Sequence, residues 1–214
     1  MKPHLLFTFM IVYLLSSATT GHTAEKNVLL GKPGFYGKGC NAENTSVALS
    51  PDASALSIIF DNYSAEAGKQ SPGRKQSDSS QCLVYIMMKL PAGVSIGIAR
   101  ADYRGFISLP AKGNGEVSAS LGFLHQPYYL ASNHMKQRFT GPIDENFQLS
   151  QKIKSPLWSK CGGNVYLMLQ SSLKVKSNSH REQALAIIDS LDISHEQGAT
   201  YEIVKRRCNN KIHR

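Results

Sequence analysis

No two cysteines stand close together anywhere in the 214 residues. The four present are Cys40, Cys82, Cys161 and Cys208. Without a C-x-x-C pair a structural metal site has no framework, and no cofactor is expected. No run of about 18 apolar residues follows the first two dozen positions, so no transmembrane helix is expected. No repeat, low-complexity tract or linker divides the chain. Acidic residues are also scarce, with 15 Asp and Glu against 24 Lys and Arg, a net charge of +9. The surplus gathers at the end, at Lys205, Arg206, Arg207, Lys211 and Arg214. Such an end can meet polyanions, but its plainer role is a solvated tail that aids solubility. Nucleic acid is not an expected partner of an exported chain.

Catalytic and metal motifs are present only in fragments. His195-Glu196 opens an H-E-x-x-H, but position 199 is Ala, so the second zinc ligand is missing. Gly31 to Lys38 is glycine-rich, yet Gly39 stands where a phosphate loop needs Ser or Thr, and a mobile entry loop is expected there. Asp61 with Glu66, Asp144 with Glu145, and Asp189 with Asp192 supply oxygens, but no loop gathers the several ligands calcium requires. Gly93-Val94-Ser95-Ile96-Gly97 matches the nucleophile elbow G-x-S-x-G. An elbow needs a strand before the serine and a helix after it. Here a Pro-Ala-Gly turn precedes Ser95 and an alternating strand follows. Asp189 or Asp192, then His195 or His213, stand in the order of a triad. A secreted esterase- or glycosidase-like hydrolase is therefore the alternative reading, not the leading one.

What is present begins with a leader. Lys2 is followed by the apolar run Leu5–Leu15 and then by small residues, the order of a secretory signal. Cleavage is expected after Ala18, Gly21 or Ala24, with Ala24 favoured because Glu25 and Lys26 open a polar stretch. The expected division is a signal peptide at 1–24, a single domain at 25–208, and a basic tail at 209–214. Export places the protein in the periplasm or outside the cell. There an even cysteine count indicates two disulfides. Three connectivities are open, and Cys40–Cys82 with Cys161–Cys208 is preferred because each closes one half of the chain. Asn44 and Asn62 begin glycosylation sequons.

The rest reads as strands. Thr45–Leu49, a turn at Ser50-Pro51-Asp52, and Ala55–Phe60 form an expected hairpin. Cys82–Met88 is apolar on both faces, as a central strand would be, and Gly68–Gln81 before it reads as a long surface loop. Ser95–Ile107 alternates. Val165, Leu167, Leu169, Leu173 and Val175 form one stripe, with Tyr166, Met168, Gln170 and Lys174 opposite. Tyr201–Arg206 alternates again. Short strands between turns indicate an all-β, antiparallel, jelly-roll-like β-sandwich. One segment dissents. Ser179–Glu182 fits a capping box, and Ala184, Leu185 and Ile188 fit one helical face, so a short helix near 180–188 competes evenly with a strand.

Asp102 and Arg104 flank Tyr103 just before Gly105. At i and i+2 on a strand they share a face, with Tyr103 on the other. The expectation is an ion pair at a glycine corner that is structural first and ligand-contacting second. Catalysis comes last, because the arginine would hold the carboxylate ionised. The ligand-binding candidates are Asp102, Tyr103, Arg104, Asp61 and Trp158.

Several stretches together resemble a known family. They are Gly37–Cys40, Ser50–Asp52, Ala55–Asp61, Cys82, Leu90–Gly93, Ala101–Gly105, Phe139–Pro142, Trp158–Gly162, Asp189–Asp192 and Tyr201–Cys208. This ordered set resembles the secreted family catalogued as domain of unknown function 4360, found in bacteria and fungi, from about Val28 to Cys208. The resemblance implies export, one β-rich domain, four paired cysteines, and a strand near 185–189. It implies no reaction and no catalytic residues. Lys205-Arg206-Arg207 stands where relatives tend to carry an aromatic residue. The leading expectation is a secreted binding or surface-interaction protein whose partner is an anionic glycan or cell-surface polymer.

Overall fold

The computed structural model describes residues 27–124, 131–188 and 198–208. The expected signal peptide, the basic tail, and Asp189, Asp192, His195 and His213 lie outside these residues. The strands are β1 (Leu29–Leu30), β2 (Gly34–Tyr36), β3 (Thr45–Leu49), β4 (Ala55–Phe60), β5 (Tyr63–Gly68), β6 (Ser77–Leu90) and β7 (Val94–Leu109). They continue with β8 (Asn114–Leu124), β9 (Ala131–Thr140), β10 (Ile143–Lys152), β11 (Gly163–Lys176), β12 (Gln183–Ile188) and β13 (Ala199–Arg207). No α-helix occurs among the described residues, and none is long and apolar enough to cross a membrane.

The strands form two antiparallel sheets packed as a sandwich. Sheet A runs β1-β6-β11-β8-β9, with β2 also on β6. Sheet B runs β3-β4-β13-β7-β12-β5, with β10 along the other edge of β7. Period-2 alternation produces the core. Val84, Ile86 and Met88 of β6 and Val165, Leu167 and Leu169 of β11 face inward. They meet Leu56, Ile58 and Phe60 of β4 and Ile96, Ile98 and Ile107 of β7, all essentially without solvent contact. The interface is not wholly apolar. Ser171 of β11 donates to the Tyr63 hydroxyl of β5 at 3.2 Å, and the Tyr63 hydroxyl lies 3.4 Å from the Ser80 carbonyl of β6. Cys40 is bonded to Cys82 and Cys161 to Cys208, with Cα separations of 5.3 and 6.2 Å. The first bond anchors the segment after β2 to β6; the second ties the end of β13 to the turn before β11.

One local expectation is settled and three change. Of the helix and the strand that compete evenly near 180–188, the strand forms, as β12, paired with both β5 and β7. Its capping-box residues instead close a tight turn, in which the Arg181 N–H donates to Ser179 Oγ at 3.1 Å. Ala184, Ala186 and Ile188, spaced by two, are the buried residues. The loop expected over Gly68–Gln81 is shorter. It holds a 3-10 turn at Pro72–Arg74, and its last five residues already belong to β6. The glycine-rich entry loop contains β2. Finally, β7 does not break at Gly105. A Cβ there would overlap the Ile187 carbonyl oxygen and the Phe147 ring, so glycine is required for neighbouring strands to close on β7. At this point β13, paired up to Tyr103, gives way to β12, paired from Phe106.

Candidate binding face on the outside of sheet A

The residues nominated from sequence do not line one cleft. Tyr103 is 1% exposed and points into the core, where its hydroxyl bonds to that of Tyr201. Burial pushes both phenols well above their ordinary range. Asp102 and Arg104 lie on the outer face of sheet B, as their spacing requires. The carboxylate, however, is gripped by Arg100, through Nε at 2.7 Å and an Nη at 2.9 Å. The Ser150 hydroxyl of β10, directly across from Asp102, also donates to it. Burial alone would raise the Asp102 pKa, but the bonds from Arg100 and Ser150 outweigh it and hold the carboxyl below its usual value. Trp158 lies on the same outer face, against Gly97, with the Arg206 guanidinium 4.2 Å from its ring centroid. Five residues of β7 separate Gly97 from Asp102, about 16 Å at strand rise. Asp61 sits exposed in the turn after β4, its N–H bonded to the Asn44 carbonyl at 2.8 Å.

Ser95 is 2% exposed, within β7 and not on an elbow. Its hydroxyl donates to the Ser159 carbonyl at 2.8 Å. A hydroxyl so enclosed and committed is not presented for attack on a substrate.

The outside of sheet A holds a different grouping, made by register. Cross-strand pairing sets Lys174 of β11 opposite Glu116 of β8, and Glu116 opposite Arg138 of β9. Glu116 is approached by Lys136 and Arg138 at 3.2 Å each and by Lys174 at 3.9 Å. Burial pushes this carboxyl up, but the bonds from Arg138 and Lys136 more than reverse the effect and hold it below its ordinary range. Glu116, Arg138 and Lys174 edge a groove of about 660 Å³ that also includes Lys75, Lys176, Asp78 and Asn114. Asp78 is bound by Lys38, with 2.9 Å between Nζ and a carboxylate oxygen. Four cations stand around the outward Glu116, with Lys136 beside it, whereas Asp78 is turned towards β5, its carboxylate accepting from the Glu66 N–H at 3.1 Å. The local field is therefore positive.

Two residues further along the same strands lies a trough of about 370 Å³ bordered by Ser118, Ser120, His134, Lys136, Gln170 and Ser172. Ser172 is 8% exposed, and its hydroxyl has no hydrogen-bond partner among the described residues. Beyond the trough the face turns aromatic. Tyr85 and Tyr166 stack with centroids 5.3 Å apart and planes 16° from parallel. Tyr36, paired with Leu83 and so level with Gln170 but two strands to the side on β2, adds a third ring and is 63% exposed. Burial, then the neighbouring Tyr166 and Tyr36, push the Tyr85 phenol up.

None of these residues was singled out from sequence. The stripe Tyr166, Met168, Gln170, Lys174 is legible as the side opposite the core. Its meaning depends on the partners that register brings beside it. Cys82–Met88 is apolar on both faces not because both are covered, but because Leu83, Tyr85 and Met87 form half-exposed ground on this outer face.

A relative from Arthroderma benhamiae, described as an uncharacterized secreted protein, is 28% identical over 166 residues. The match takes in 76% of this chain and 65% of the relative's length, just under two thirds of it. The protein is a secreted one, in keeping with that relative's description and with two disulfides, which persist in oxidising compartments. Residues 26–208 match the pattern of the domain of unknown function DUF4360, and the chain belongs to that family.

Proposed function

We propose that this protein is an extracellular binding protein for an anionic glycan or cell-surface polymer, held on the outer face of sheet A. The observation that carries this reading is the positive groove at the β8–β9–β11 end. There Glu116 is shared by three cations, and Lys75 and Lys176 stand nearby. An incoming carboxylate or sulfate finds donors without having to displace a tightly held one-to-one pair. The groove is open and made from the faces of long, regular strands, which suits an extended polymer better than a small enclosed substrate.

The test is retention on arrayed polysaccharides at physiological salt, with acidic members (polygalacturonate, alginate, hyaluronate, heparin) beside neutral ones (cellulose, xylan, chitin). The expected result is retention on acidic members that weakens with added salt, as exposed ion contacts are screened. Reversing charge at Arg138→Glu with Lys174→Glu should abolish it. Absence of retention on every acidic member, or retention unaffected by the double reversal, would defeat the proposal.

A further inference from the structure

The basic groove, the serine trough and the tyrosines occupy one face and follow one direction. From Lys174 to Tyr166 along β11 is eight residues, about 26 Å at strand rise. All the side chains between them on that side point outward. A bare polyanion would use only the charged end. The remainder of the face has the wrong chemistry for it, since Ser172 offers a hydroxyl and the far end offers aromatic rings.

We infer that the ligand is a saccharide chain lying lengthwise along β11. Its charged groups sit in the basic groove, a sugar hydroxyl meets Ser172, and pyranose rings rest on the Tyr36, Tyr85 and Tyr166 platform. This rests on the anionic-glycan reading above and assigns the part of the face that charge does not explain. Three observations converge on it. Ser172 Oγ is nine-tenths buried, borders the trough and lacks a hydrogen-bond partner among the described residues. A buried hydroxyl left unpaired is costly, and a hydroxyl-rich ligand supplies both donor and acceptor. The Tyr85–Tyr166 pair places two half-buried aromatic rings on the outward face of sheet A. Aromatic rings combine a large apolar surface with a polar tip, the combination needed against a sugar, whose ring faces are C–H and whose rim is hydroxyl. Continuity supplies the third, because the trough begins where the groove ends and β11 runs through both to the platform, with Tyr85 beside it on β6.

The experiment is a titration of the intact protein with oligogalacturonates of increasing length, beside inorganic polyphosphate of matched charge. Affinity should rise with saccharide length until the chain spans the face, and polyphosphate should bind more weakly than the longest saccharide. Tyr85→Ala and Tyr166→Ala should each weaken the longest saccharide about tenfold while leaving the shortest unchanged. Tyr36→Ala, at an exposed edge position, serves as the variant least able to disturb folding and should act in the same direction. Ser172→Ala should weaken intermediate and long saccharides alike. If Arg138→Glu with Lys174→Glu abolishes binding but the tyrosine variants bind all lengths normally, the lengthwise assignment falls and the anionic-glycan reading survives. Equal binding of polyphosphate and saccharide also overturns the assignment. If no acidic probe binds, both fall.

Discussion

Tyr103 and Tyr201 meet edge to face in the core, their ring centroids 5.9 Å apart and their hydroxyls bonded to each other. Each hydroxyl is the other's relief from burial. Removing one strands its partner, so Tyr103→Phe and Tyr201→Phe should each destabilise the fold by about 1–3 kcal/mol. The double variant should cost clearly less than the sum, because neither hydroxyl then remains to be satisfied. Urea unfolding of the three variants checks this, and strict additivity would refute it. Gly105 is a second residue-scale case. Gly105→Ala should destabilise by about 1–3 kcal/mol, because its Cβ would strike backbone at Ile187 as well as the Phe147 ring. The carboxylates set the acid limit. Asp102, Asp78 and Glu116 all have folded pKa values below their ordinary ones, and Asp52, bonded to Ser50 and Ser54, is lowered to about 2. A depressed folded pKa means the unfolded chain binds protons first. The stability these groups contribute is complete above about pH 4–4.5 and is lost as pH falls through the folded values. Thermal melts between pH 6 and 2 should show this decline, and Asp102→Asn should make it shallower.

At the scale of elements, period-2 alternation made most of the sandwich legible. The β3–β4 hairpin, the long β7 and the buried stripe of β11 follow directly from where apolar residues fall. The β12 segment was ambiguous because Ala184, Leu185 and Ile188 satisfy a helical face as well as a strand. Only pairing with β5 and β7 decides between them, and pairing is not a local property. The binding face was hidden for the same reason. Lys174, Glu116 and Arg138 lie on three strands and become neighbours only through register. The ion pair near Gly105 was half legible. The strand spacing does put Asp102 and Arg104 on one side, but Arg100 shares that side and takes the carboxylate. Each disulfide joins elements distant in sequence, with separations of 42 and 47 residues. By loop-closure entropy each should contribute about 4 kcal/mol. Replacing Cys40 and Cys82 together by Ala should lower the urea midpoint with little change in secondary structure by circular dichroism.

For the whole molecule, the two outer faces differ in kind. Sheet B carries an internally satisfied network around Asp102, with Trp158 already occupied by Arg206. Sheet A carries a carboxylate crowded by cations, a buried hydroxyl with no partner among the described residues, and outward-facing rings. A surface whose polar groups have found each other has little left to offer a ligand; sheet A retains unmet capacity. Backbone amide shift mapping during titration with a long oligogalacturonate distinguishes the faces directly. Perturbations should concentrate on β6, β8, β9 and β11, running from Lys174 towards Tyr166, while Arg100, Asp102 and Ser150 stay still. Perturbations centred on β7 and β10 of sheet B instead would contradict the account.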